Sequence, residues 1–171
     1  MKSLLTASAA IALLATAVPA AAESYGNLGY TSVDGGDTTV GAVTGRVGWK
    51  SDSFFGVEGE VSKGVKDDST TVAGVTTSTD LDYQYAGYVT GTVPVTPNLD
   101  IIGRVGYGQT KIENTTAGVS SDDKADSINY GVGAQYSWGA NGIRGDYTRH
   151  DYRGSGAGEA DAWSVAYVRK F

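Results

Sequence analysis

His150 is the sole histidine of this chain, so any histidine-centred catalytic triad has one possible home. Asp151 and Tyr152 follow it, and Asp146 and Thr148 share its face if the segment is extended, because residues two apart on a strand point the same way. A hydrolytic triad needs a nucleophile held against the imidazole and an acid orienting it from behind. No such order is written around His150, which reads as a loop-edge residue, and no enzymatic activity is expected. Cysteine is absent, which excludes thiolate nucleophiles, cysteine-ligated metals and disulfides. The acid pairs Asp67–Asp68 and Asp122–Asp123 lie in Ser/Thr-rich stretches and read as solvated loop carboxylates rather than calcium ligands, so neither a metal nor a cofactor is expected.

The elements that must position the remaining charges are extended. Eight segments alternate with period two, near 24–33, 39–50, 54–65, 81–93, 99–112, 127–138, 142–152 and 160–171. The 25 glycines and 11 tyrosines fit such a β-rich chain. Three connections are short and turn-like: "SDS" (51–53), "PVTPN" (94–98) and "GAN" (139–141), with Asn141-Gly142 as a hairpin signal. The other four are hydrophilic and mostly longer, among them "KDDSTTVAGVTTSTD" and "ENTTAGVSSDDKAD", which read as long loops. An even number of antiparallel strands with short turns at one end and longer loops at the other meets the requirements of a transmembrane β-barrel.

A soluble sandwich or lipocalin-like barrel could share that count, so the two faces decide. Phe55, Val57 and Val61 alternate with Glu58, Glu60 and Ser62; Ile101, Val105 and Tyr107 alternate with Arg104 and glycines; Ile128, Tyr130, Val132, Tyr136 and Trp138 alternate with Asn129, Gln135 and Ser137. An eight-stranded bore is too narrow for the large apolar set but suits glycines and hydroxyls, which places the aromatic face toward lipid. Trp49, Phe54, Phe55, Trp138 and Phe171 stand beside the short turns, and Tyr83, Tyr107, Tyr130, Tyr147 and Trp163 nearer the long loops. Two such girdles are expected where amphipathic rings meet headgroups. The inward parity then collects Arg46, Glu58, Glu60, Arg104, Arg144 and Asp146 in the lumen. Unpaired buried charge is costly, so these six are expected to pair with one another or with trapped water and to plug the bore.

Both termini carry expectations of their own. Lys2, the apolar run "LLTASAAIALLATAV" and the small residues Ala20 and Ala22 read as a cleaved secretory signal over residues 1–22, leaving 23–171 as the barrel. The last strand presents Trp163, Val165, Tyr167, Arg169 and Phe171 on one face. A net charge of −6 argues against nucleic acid as a partner.

The terminal strand, "FFGVEGEVSKGVKDD" (54–68), "GRVGYGQTKI" (103–112) and "NYGVGAQYSWGANGIRGDYTRHDY" (129–152) together resemble the small OmpA-like or Omp25-like outer-membrane β-barrels of Gram-negative bacteria, often labelled porin family. The resemblance implies an all-β, eight-stranded antiparallel up-and-down transmembrane barrel in the cell outer membrane. It implies contact with outer-membrane lipid and lipopolysaccharide, insertion by the barrel-assembly machinery, and a monomer. In that family a C-terminal strand ending in Phe is the assembly signal, and Trp163, Val165, Tyr167 and Phe171 match it, whereas Arg169 stands where an apolar residue is usual. The His-x-Ser spacing of the lipid A deacylases, themselves eight-stranded barrels, is broken by Tyr152. No periplasmic peptidoglycan-binding domain is expected after Phe171. The function so implied is structural, displaying four loops above a plugged lumen. The alternatives are a narrow porin-like channel for small solutes or ions, and an adhesin or receptor acting through the loops at 66–80 and 113–125.

Overall fold

The period-two alternation becomes nine antiparallel strand segments: β1 (Glu23–Asp34), β2 (Thr39–Lys50), β3 (Phe55–Lys66), β4 (Asp68–Val72), β5 (Val75–Thr96), β6 (Leu99–Thr116), β7 (Val119–Trp138), β8 (Asn141–Arg153) and β9 (Glu159–Lys170). This computed structural model describes residues 23–36, 39–51, 54–66, 68–72, 75–116, 119–153 and 158–171. The signal expected over residues 1–22 lies outside them. β3 and β4 both pair with β5, one after the other, and so form a single stave. The result is an eight-stranded barrel closed by the β1–β9 and β3–β5 ladders. Closure is what a sheet in lipid requires, since an open edge there would leave backbone N–H and C=O groups unsatisfied.

The register fixes the shape. Following paired residues around the ring leads from Ser24 through Trp49, Val57, Val89, Val105, Tyr130, Arg149 and Asp161 back to Asp34 on the first strand. A stagger of that size tilts the strands by roughly 40° from the barrel axis. Each strand thereby sends alternate residues inward and outward. Leu28, Val89, Val132, Val165 and Tyr107 are exposed on the outer wall, whereas Thr44, Thr110, Asn129 and Thr148 are buried in the lumen. The interior is therefore polar, with one small apolar cluster of Val33, Ala160 and Ala162, against which Val40 and Tyr152 pack.

The strand and turn boundaries correct two of the sequence expectations. The hydrophilic stretches between the third and fourth segments and between the fifth and sixth are largely paired strand, not loop. β4 pairs with β5 from Asp68↔Thr79 to Val72↔Val75, and β6 pairs with β7 out to Thr116↔Val119. Thr, Ser and Val make up most of β4 and of the start of β5, and the β-branched Thr and Val favour the extended backbone. Asp68, Asp122 and Asp123 therefore stand on strands, while Asp67 lies outside the described residues. The second correction concerns the last short turn. It is made by Gly139 and Ala140, with Asn141 and Gly142 already paired in β8, because Gly139 supplies the positive φ of 62° that the bend needs.

Glycine matters differently at position 106, on the lumen side of β6. A Cβ there would come within 2.1 Å of the Gly87 carbonyl oxygen and 2.6 Å of the Tyr88 ring. Gly106 thus makes the space that Tyr88 occupies. Gly106→Val is expected to displace that ring and lower stability by about 1–3 kcal/mol, as overpacking does; denaturant unfolding of the detergent-solubilised barrel measures it, and an unchanged midpoint would refute the packing role.

Candidate functional site

Arg46, Glu58, Glu60, Arg104, Arg144 and Asp146 project into the bore from β2, β3, β6 and β8, and all six are buried. They meet as a closed ring of alternating charge. Arg46 Nε donates to Glu60 Oε2 at 2.6 Å, and the same oxygen accepts from Arg104 Nη1 at 3.1 Å. Arg104 Nη1 also reaches Glu58 Oε1 at 2.9 Å, and Glu58 Oε2 accepts from Arg144 Nη1 at 2.7 Å. Arg144 Nε donates to Asp146 Oδ1 at 2.7 Å, and Asp146 Oδ2 accepts from Arg46 Nη1 at 3.2 Å, which closes the circuit. Each guanidinium hydrogen-bonds two carboxylates and each carboxylate two guanidiniums, and a longer contact of 3.9 Å from Arg46 Nε to Glu58 Oε1 crosses the ring. Three positive and three negative charges balance inside a low-dielectric wall, the condition under which buried ions are tolerated.

Neutral groups complete the ring. Tyr25 Oη donates to Glu58 Oε2 at 2.9 Å and Tyr88 Oη to Glu60 Oε1 at 3.2 Å. The Arg104 guanidinium carbon lies 4.3 Å from the Tyr88 ring centroid, a cation–π contact, and Arg104 Nε and Nη2 both donate to Thr148 Oγ1. Arg46 Nη2 donates to Ser164 Oγ at 3.1 Å. Sequence parity singles out the six ions but misses these partners. A signal for them exists: Thr148, Ser164 and Tyr88 all stand on the inward parity of their strands, and a tyrosine there is too large for a narrow bore unless a glycine such as Gly106 faces it.

His150 is corrected by the same geometry. It is no loop-edge residue but lies buried in the lumen, with Nδ1 2.9 Å from Asn129 Oδ1 and 3.5 Å from Gln84 Nε2. Its ring stacks on Tyr152 at 6.2 Å. A hydroxyl ladder of Thr31, Thr44 and Ser62 runs beside it. Small voids adjoin the ring on either side, about 10 Å³ beside His150, Gln84 and Thr148, and about 20 Å³ beside Tyr25, Lys50 and Asp100 toward the short turns. Each has room for about one water molecule. The six ions and their neutral partners fill the bore at their level.

The C-terminal strand lies elsewhere. Trp163, Val165 and Tyr167 face outward on β9 and are exposed, as is Phe171, whose backbone N–H donates to the Ser24 carbonyl at 2.9 Å. Ion-ring and terminal-strand residues thus form two separate sets, one in the lumen and one on the lipid wall. Of the predicted girdles, Tyr107, Tyr130 and Trp163 are exposed on the hairpin side of that wall and Phe54, Phe55, Trp138 and Phe171 on the short-turn side, joined by Tyr30, Tyr85 and Tyr136, whereas Trp49, Tyr83 and Tyr147 are half-buried. Exposed aromatic rings thus stand at both ends of the wall, as in a membrane barrel, though not all are the rings predicted. Among the described residues no helix is long and apolar enough to cross a membrane; the crossing is made by strands.

Solved structures share this fold. Ail, the attachment invasion locus protein of Yersinia pestis, solved in complex with the heparin analogue sucrose octasulfate, superposes with a TM-score of 0.64 at 16% identity, covering 88% of this chain and 99% of that one. Neisserial surface protein A gives 0.59 at 9% identity over 89% and 98% of the two chains. The N-terminal barrel domain of Pseudomonas aeruginosa OprF gives 0.57 at 10% identity over 86% and 97%. No curated protein matches this sequence. Residues 6–171 match the model of the outer membrane protein beta-barrel domain, which spans nearly the whole chain, and the protein therefore belongs to that family and resides in the cell outer membrane.

Proposed function

We propose that this protein is a closed, non-enzymatic structural barrel of the outer membrane, whose plugged lumen serves as a rigid mount for hairpins displayed outside the cell. The observation that carries this reading is the closed ring of six alternating charges across the bore. Such a ring resists ion entry because each link broken leaves charge unpaired. Liposomes loaded with the purified barrel should show no swelling in small sugars or amino acids beyond that of empty liposomes; steady swelling would instead establish the narrow-channel reading.

In this reading the barrel acts as a monomer, is inserted by the barrel-assembly machinery through its terminal strand, and contacts lipopolysaccharide in the outer leaflet. The long hairpins point outward and the short turns lie in the periplasm, as outer-membrane barrels are built. An epitope tag inserted near Gly74, which lies outside the described residues, is expected to be detected on intact cells. Detection only after permeabilisation would reverse the orientation.

A second reading, surface recognition by the hairpins, draws support from the strands themselves. β5, β6 and β7 run as paired strands past the ends of their neighbours, and β4 ends the sheet there with one edge unpaired among the described residues. The likeness to Ail supports attachment as a class of role. The net charge of −6 is poorly suited to a polyanion such as the heparin analogue bound by that protein.

A further inference from the structure

Arg169 interrupts the apolar outward face of the terminal strand, at the short-turn rim of the wall, and its side chain is held in place there. It is exposed, and its Nη1 donates to Asn141 Oδ1 at 2.8 Å. Tyr167 Oη donates to the same oxygen, so Asn141 ties both side chains to the wall. Among the described residues no carboxylate pairs with Arg169: the acid at the foot of the β1–β9 seam, Glu23, is engaged by Lys170 at 3.0 Å. Lys50 has the inward parity of β2 and lines the lower void. Arg169 therefore carries an uncompensated positive charge on the lipid side of this rim. Its Nε and Nη2 make no hydrogen bond to the described residues, and that edge of a guanidinium is a fork that matches two oxygens of one phosphate.

The wall beside it suits the rest of a lipid. Level with Arg169 in the ladders stand Asn141 and Trp138, and one outward step deeper come Tyr167, Ile143 and Tyr136. The next step brings Val165, Gly145 and Ala134, where an apolar groove of about 570 Å³ opens, walled by Val132, Tyr147 and Trp163. Four residues separate Arg169 from Val165, roughly 13 Å of strand, within the reach of an acyl chain. The other grooves of the outer wall lack this arrangement. Over Gly91 the Phe54 ring closes the short-turn end, since a Cβ there would meet it at 2.4 Å, and the groove over Gly59 and Gly87 has beside it Lys63, which Asp82 already pairs.

We infer that Arg169 and the Ala134–Gly145 groove form a site for one anionic phospholipid, its phosphate on the free fork of the guanidinium and one acyl chain in the groove. A zwitterionic lipid brings its own ammonium beside the phosphate and gains less from an unpaired arginine. With the short turns in the periplasm, as proposed above, the lipid belongs to the inner leaflet of the outer membrane. Only the leaflet rests on that orientation. An inverted epitope-tag result would move the lipid to the other leaflet and leave its retention untouched.

The test uses the full barrel, refolded and placed in phosphatidylcholine nanodiscs doped with phosphatidylglycerol, with bound lipid counted by native mass spectrometry. Wild type is expected to retain one phosphatidylglycerol per barrel in preference to phosphatidylcholine. Arg169→Gln should weaken that retention about fivefold, the equivalent of one basic residue at a membrane surface. Gly145→Leu fills the groove, where an added Cβ meets only the Ser164 carbonyl oxygen at 3.9 Å, and should abolish retention. Gly87→Leu, unobstructed within 4 Å but in a different groove, should leave it unchanged. Heat-modifiable migration on gels checks that each variant is folded, and Arg169→Gln, at an exposed position, decides the matter if Gly145→Leu is not. No preference in wild type, undiminished retention in Arg169→Gln, or an equal loss in Gly87→Leu would overturn the site.

Discussion

Replacing Glu58 and Glu60 together by alanine is expected to lower the unfolding free energy by about 3–5 kcal/mol, the range for breaking a buried pair from one side. Five of the seven ion-pair contacts in the ring end on these two carboxylates: Arg46 and Arg104 on Glu60, and Arg46, Arg104 and Arg144 on Glu58. Their loss leaves Arg104 with Thr148 and the Tyr88 ring as its polar neighbours, and Arg46 and Arg144 with Asp146 alone among carboxylates. One negative charge then faces three positive ones. Matched denaturant unfolding of wild type and variant measures the effect. Unchanged stability would show that the two glutamates do not anchor the ring.

The second large effect belongs to the terminal strand. Deleting Phe171, or replacing Tyr167 and Phe171 by Ser, is expected to remove most of the protein from the outer membrane while leaving export to the periplasm intact. Phe171 is 80% exposed and adds little packing to the folded barrel, so its loss should cost the finished structure far less than it costs assembly. Its one backbone link, from Phe171 N to Ser24 O, lies at the seam where the last strand meets the first. Quantitative fractionation, paired with in vitro refolding of the same variant into detergent, separates the two contributions. Normal outer-membrane levels would remove the strand's role as an assembly signal, and equal losses in cells and in detergent would make that role purely structural.

The parity of each strand makes the six lumen ions legible in the amino-acid sequence, because inward and outward sets differ so sharply when one side is lipid. Parity does not say which ions share a level. Arg46 and Asp146 are a hundred positions apart in sequence, on β2 and β8, and they meet at 3.2 Å only because the register staggers around the ring until both stand at one height. That stagger is a property of closure, shared among eight ladders, and no single segment encodes it. The strand ends are hidden for another reason. Thr- and Ser-rich hairpins outside the bilayer need no apolar alternation, so the signal that marks a strand within the membrane vanishes while the pairing continues. The place of His150 is illegible on similar grounds, since its burial depends on Asn129 and Gln84 arriving from β7 and β5.

Single-channel recording in a planar bilayer tests the plugged lumen most directly, with wild type and the Glu58→Ala/Glu60→Ala variant measured side by side. The closed charge ring predicts silent wild-type traces and, once its two glutamates are gone, a small steady conductance through the same bore. A large, steady wild-type conductance that the variant does not change would contradict it.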